Sequence, residues 1–130
     1  MFHISICMLS NATCDSCNLV YIIICLRCKV FYIGETSKSL YVRIRQHLNG
    51  IKRFIPYLNI ENEVAQHFRK IGHIIQHDFR VCVFKDKLED IKIRRAVEMD
   101  LILLFKNVFK YAILNTKINN LRNLNKLCFL

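Results

Sequence analysis

A chain of 130 residues is long enough for one domain with a modest core. A hydrophobic content of 53% and a mean hydropathy of +0.22 exclude a largely disordered chain. The longest apolar runs, residues 19–26 and 99–105 (the latter interrupted by Asp100), fall well short of the ~20 residues that a membrane-crossing helix needs.

The formal charge is +10 and the pI is near 9.5. Residues 27–53 hold seven basic side chains and one acid, Glu35, and residues 106–130 hold five basic side chains and no acid. Such a balance points to a polyanionic partner, with nucleic acid first and a merely solvated basic surface second. The N-terminus is apolar but lacks a basic start, which argues against a secretory signal and for an intracellular protein. Seven cysteines, two pairs of them spaced CxxC, then read as metal ligands rather than as a disulfide framework.

In chain order, residues 1–17 show no period and read as a leader, partly disordered. Residues 19–25 are β-branched and aromatic, the composition of a buried strand. A tight connection at 26–29 and a second strand at 30–34 complete a hairpin. Gly34 ends it, where the backbone needs a conformation or a close approach that a Cβ would block. Thr36, Ser37 and Ser39 offer caps for a helix whose buried stripe is Leu40, Ile44, Leu48 and Ile51. Arg43 and His47, four apart, share another face. Pro56 marks a loop. A second helix is expected near 61–70, capped by Asn59 or Asn62 and stopped by Gly72. Residues 78–84 alternate as a third strand. A long helix follows over about 87–107, capped by Asp86, with Leu88, Ile91, Arg95, Glu98, Ile102 and Phe105 along its seam. The tail, 117–130, is basic and suited to a short last helix. The fold class expected is α+β: a small, mostly antiparallel three-stranded sheet flanked by helices, over residues 18–116.

Glu98 is the misfit on an apolar seam. A buried carboxylate without a partner costs several kcal/mol. It is either neutralised by Arg94 or Arg95, or it is a ligand for Mg²⁺, which prefers oxygen donors and keeps several waters. Tyr21 and Tyr32 taken singly are ordinary strand aromatics, and Arg43 and His47 an ordinary solvated face. Their order is not ordinary: Val20-Tyr21, ten residues, Tyr32-Ile33-Gly34, eight residues, Arg43, three residues, His47.

That order resembles the GIY-YIG nuclease family. Within it, the pattern VYxxxCxxCxxxYxGET…L…R…H is similar to the endonuclease domain of Penelope-like retroelements. The resemblance runs from Leu19 to about Asn115, and includes VAQHFRKIGH at 64–73. Leu19, Val20 and Ile113 depart from the family's first glycine, its isoleucine and the glycine of its GLN segment. The resemblance implies a metal-dependent DNA endonuclease leaving 5′-phosphate and 3′-hydroxyl ends, acting in the nucleus. Such a nick would prime a reverse transcriptase, which is not part of this chain. Glu98 would hold Mg²⁺ or Mn²⁺ against a phosphate oxygen. Arg43 would clamp the scissile phosphate. Tyr21 would orient the attacking water or take its proton, provided that cations stabilise its phenolate. Tyr32 and His47 would position groups or relay protons, with His47 an alternative base. Asn115 would orient groups around the phosphate. Gly34, Lys38, Arg45, Lys52 and Arg53 form the expected nucleic-acid surface.

Two zinc sets are open beside free thiols and core histidines. In the first, Cys14, Cys17, Cys25 and Cys28 form a ribbon. A strand between the two pairs would hold them about 25 Å apart at ~3.3 Å per residue, too far for one ion. In the second, Cys25 and Cys28 join His67 and His73, with His77 a substitute for His73. This second set matches the two-Cys, two-His set of the Penelope-like subtype and would be structural. A catalytically inactive, zinc-stabilised basic module that binds nucleic acid is the alternative to an enzyme.

Overall fold

A computed structural model describes residues 6–8, 12–55 and 62–115. Pro56, Asn59 and the tail 117–130 lie outside the described residues. A five-stranded sheet of order β1-β4-β2-β3-β5 has helices on both faces. The elements are β1 (Ile6–Met8), β2 (Leu19–Cys25), β3 (Val30–Thr36), α1 (Leu40–Lys52), α2 (Glu63–Phe68), α3 (Ile75–Asp78), β4 (Phe79–Lys85), α4 (Ile91–Leu103) and β5 (Ala112–Ile113). A π-helical turn, Leu104–Val108, extends α4.

The hairpin and the mixed α+β class are as expected, but Gly34 does not end the second strand, which runs on to Thr36 because Leu19 and Val20 pair with Thr36 and Glu35. Tyr21 pairs with Gly34, Ile23 with Tyr32 and Cys25 with Val30 in antiparallel register. β4 lies antiparallel to β2 on its other side, so β2 is flanked by strands and six of its seven residues are buried. The three expected strands gain two short partners. β1, within the segment read as a leader, pairs in parallel with β4, and β5 pairs in parallel with the start of β3. Strands of three and two residues carry too little pattern to stand out in a sequence.

The period-two alternation of β2 splits the interior into two layers. Tyr21, Ile23 and Cys25 pack with Leu40, Ile44 and Ile51 of α1 and with Val64, Ala65 and Phe68 of α2. Val20 and Ile22 pack with Ile33, Cys82, and Val97, Leu101 and Ile102 of α4. Tyr21 belongs to the first layer, and α4, which carries Glu98, packs in the second.

Caps decide the helix starts. The Ser39 side chain accepts the Val42 N–H, and Asn62 accepts that of Ala65. The long helix begins at Ile91 rather than near 87, because Asp90, not Asp86, caps it by accepting the Lys92 N–H at 2.8 Å. Lys87 has φ 58°, a left-handed turn that no helix continues through. Its seam is also turned from the expected one. Ile91 is 44% exposed and Arg95 faces water, while Arg94, Val97, Leu101 and Ile102 are buried. Glu98 therefore sits at the margin of the buried stripe.

Candidate active site

β5 matches only Val30 and Phe31, so the rest of the β3 edge is left open by it. Asn115 closes one further step with its side chain. Its Oδ1 accepts the Ile33 N–H at 3.0 Å, and its Nδ2 donates to the Ile33 carbonyl at 2.8 Å. Beside that edge opens a cavity of about 340 Å³. Tyr32, Arg43, His47, Glu98 and Asn115 line it, together with Gln46, Asn62 and Glu63. Five of the six expected catalytic residues thus meet there, from β3, from α1 and α4 on opposite faces of the sheet, and from the segment after β5.

Tyr21 stands behind them, fully buried. Its hydroxyl accepts a hydrogen bond from Arg43 Nε at 3.0 Å and lies 2.7 Å from His47 Nε2. A guanidinium only donates, so the hydroxyl proton is free to be given to His47 Nε2 when the ring proton is on Nδ1. Tyr32 meets the same imidazole edge-on, with ring centroids 5.7 Å apart. Gly34, the residue opposite Tyr21, is there for space: a Cβ would collide with the Tyr21 ring.

Burial governs the charges. It lowers the His47 imidazole to about 3, with the Arg43 cation adding to the effect, so the ring is neutral at ordinary pH. Burial also raises the Tyr21 phenol above its ordinary value, with Tyr32 beside it, and outweighs the lowering by Arg43. The expectation that Arg43 favours a phenolate is therefore met in direction but overridden in size. Glu98 is pushed up to about 7 by burial and by the neighbouring Glu35 carboxylate. Among the described residues no cation makes a salt bridge with it.

Neither arginine expected to neutralise Glu98 does so. Arg94 Nε donates to Glu35 Oε2 at 2.6 Å, and its Nη1 donates to Asn18 Oδ1 at 3.1 Å and to the Leu88 carbonyl at 3.0 Å. Arg95 lies 3.9 Å from Glu35. Arg94 thereby fastens α4 to the end of β3 and to the chain entering β2. The Glu35 peptide N–H in turn supports the Glu98 carboxylate, one helical turn on from Arg94. Arg94 was expected as a partner of Glu98, and its pairing with Glu35 was not expected from the sequence. The available signal was a second charged residue, Arg94, inside an apolar helix.

Glu98, with room for water around it and no paired cation, suits a hydrated Mg²⁺ or Mn²⁺. The donor set for zinc fits more closely still. One ligand atom from each of Cys25, Cys28, His67 and His73 lies within 4.8 Å of all the others. Cys28 Sγ and His73 Nε2 are 3.4 Å apart, near the ~3.3–3.8 Å edges of a tetrahedron around zinc. His67 Nε2 is buried without a hydrogen-bond partner. His73 Nδ1 faces the Lys70 carbonyl at 3.0 Å, which leaves Nε2 free to bind metal. Burial raises the Cys25 thiol, while the Cys28 and Arg27 N–H groups favour its thiolate. His77 stands outside this group, exposed. So do Cys14 and Cys17, which face solvent at the start of α1, where the Cys14 carbonyl accepts the Tyr41 N–H.

The expected nucleic-acid surface is divided. Lys38, Arg45, Lys52 and Arg53 are exposed and Gly34 is buried. At 100° per residue, Arg45 and Lys52 point to the flank of α1 opposite Arg43. Arg45 lies over the Tyr41 ring, 5.5 Å from its centroid.

The family model for the GIY-YIG catalytic domain matches residues 17–112, and the chain belongs to that family of endonucleases. Its members hydrolyse phosphodiester bonds and generally use divalent metals. No curated protein and no solved structure matches the chain. No helix among the described residues is long and apolar enough to cross a membrane.

Proposed function

We propose that this chain is a DNA endonuclease that nicks one strand with Mg²⁺ or Mn²⁺, leaving 5′-phosphate and 3′-hydroxyl ends. The observation that carries the reading is the convergence of Arg43, His47, Tyr32 and Glu98 on one cavity, with no salt bridge to Glu98 among the described residues. Glu98 would hold the divalent ion, which supplies charge neutralisation at a non-bridging phosphate oxygen. Arg43 would bind the scissile phosphate and, in turning to it, release the Tyr21 oxygen. That oxygen would take the proton of the attacking water while its own proton passes to His47 Nε2, already 2.7 Å away. A neutral His47 is what such a relay needs. Tyr32 would orient the water. Asn115, with both amide groups engaged by Ile33, would shape the cavity wall rather than touch the phosphate.

Cys25, Cys28, His67 and His73 would bind a structural Zn²⁺ that ties the hairpin turn to the segment after α2. The CxxC inside the hairpin and that ligand set support a place near the Penelope-like retroelement endonucleases. There, the nick would supply the primer for a reverse transcriptase in the nucleus. Supercoiled plasmid incubated with the zinc-loaded chain tests the enzyme reading: open circles should appear with Mg²⁺ or Mn²⁺ and fall at least about 100-fold in Arg43→Ala. DNA binding without any nicking would favour an inactive module instead.

A further inference from the structure

The turn between β2 and β3 and the turn after α2 meet at the Cys/His cluster and form the tip of the domain. Cys28 Sγ lies 3.4 Å from His73 Nε2, and a Cβ at Gly72 would stand 3.9 Å from Arg27 Nη1. Asp78, buried, clasps the two turns: it accepts from Arg27 Nε at 3.1 Å and from the Ile74 N–H at 2.8 Å, and its carbonyl accepts the Leu26 N–H at 2.8 Å. The tip is therefore fixed even before a metal is considered. Its outer surface has two features. Arg27, Lys29, Arg69 and Lys70 are all exposed, and residues 26–29 and 69–74 contain no acid. Between these cations, at a left-handed glycine turn, Ile71 is fully exposed, with Leu26 and Ile74 exposed nearby in sequence and turn.

Single exposed apolar side chains are ordinary. An isoleucine held at full exposure on a hydrogen-bonded turn that also carries exposed Lys29, Arg69 and Lys70, with the one nearby carboxylate, Asp78, buried and already paired with Arg27, is not. It suits a polyanion with an apolar interior that can be opened, which is a DNA duplex. Apolar wedges of this kind enter base steps from the minor groove while basic neighbours hold the backbone.

We infer that this tip is a second DNA contact, in which Ile71 inserts at a base step and Lys29, Arg69 and Lys70 hold the flanking phosphates. The inference rests on DNA being the substrate. Cys25, at the base of the tip, is four residues along β2 from Tyr21, about 13 Å at ~3.3 Å per residue. The tip therefore meets the duplex away from the cleaved bond. A contact there selects substrates by how readily that step unstacks, without reading base edges.

Fluorescence anisotropy of a labelled duplex with the zinc-loaded full chain, without Mg²⁺, tests this. Replacing Lys29, Arg69 and Lys70 together by Ser should weaken binding about tenfold or more, and flatten the slope of log K against log salt by roughly 2–3. Ile71→Ser should weaken binding about threefold or more while leaving the salt slope unchanged, and should abolish the brightening of 2-aminopurine that the wild type produces when the probe is scanned along the duplex. These side chains are exposed, so the variants should melt as the wild type does. Wild-type affinity and slope in the triple variant overturn the contact. Unchanged affinity and brightening in Ile71→Ser overturn the wedge. Because binding is read without catalysis, a chain that binds through the tip yet never nicks sinks the nuclease reading alone. One that nicks while both variants bind as wild type sinks the tip alone.

Discussion

Burial decides what each polar side chain in the site is able to do. Tyr21 has no exposure, and its hydroxyl is shared between a donor, Arg43, and an acceptor, His47. Tyr21→Phe removes the bridge and should lower kcat at least about 100-fold with little change in DNA affinity, read by single-turnover nicking. Gly34→Ala drives a methyl into the Tyr21 ring and should cost about 1–3 kcal/mol in urea unfolding. Two pH effects of opposite sign follow. His47 falls to about 3 in the folded chain, so the unfolded chain binds the extra proton first as pH drops. The stability it contributes is complete above about pH 6.5 and is lost towards pH 3; His47→Gln should lose less on acidification than the wild type. Glu98 rises to about 7. Its contribution is complete below about pH 4.5 and is lost as pH climbs to 7, so metal-free Glu98→Gln should gain stability over wild type at pH 8 relative to pH 4.5. Urea midpoints at pH 4.5, 6.5 and 8 read both effects.

Elements carry these residues, and here sequence and structure part at identifiable places. The hairpin, α1 with its Ser39 cap, and the facing pair Arg43 and His47 were legible because each rests on a local period. The start of α4 was not, because Asp86 and Asp90 are both acceptable caps and only the left-handed Lys87 chooses between them. The seam of α4 was misread by one position for a related reason: Arg94 is buried, which no hydropathy pattern rewards, and it is buried because Glu35, 59 residues earlier, meets it. Asn115 was legible as a site residue but not as a substitute strand partner, since that role depends on β5 stopping short. The Arg94 and Glu35 pair aligns α4 with β3. Arg94→Met should cost about 3 kcal/mol, the lower end for a broken buried pair, because Glu35 keeps a fifth of its side-chain surface in water. Thermal unfolding of the variant checks this.

The molecule as a whole is a sheet whose two faces each deliver part of one cavity, with a Cys/His cluster that could hold a metal at the hairpin turn. CxxC in the hairpin and two histidines around α2 pointed to that cluster through the resemblance to a two-Cys, two-His subtype, while a strand between two Cys pairs spoke against the four-Cys set. If Zn²⁺ binds there, a free concentration a thousandfold above its dissociation constant adds about 4 kcal/mol to folding. Chelation, or Cys28→Ser, should then lower the melting temperature while leaving a folded cavity at low temperature. The excess of positive charge is spread over several faces rather than gathered at the cavity, and Arg45 and Lys52 lie opposite Arg43. Composition therefore named the partner without naming the surface. The role proposed for Glu98 is to hold the divalent ion that DNA cleavage needs. It is tested most directly by titrating Mg²⁺ and Mn²⁺ against supercoiled plasmid with zinc-loaded wild type and Glu98→Gln side by side. Wild-type nicking that saturates with either ion, and falls at least about 100-fold in Glu98→Gln at every concentration, is the predicted result. Equal nicking by the two proteins would contradict it.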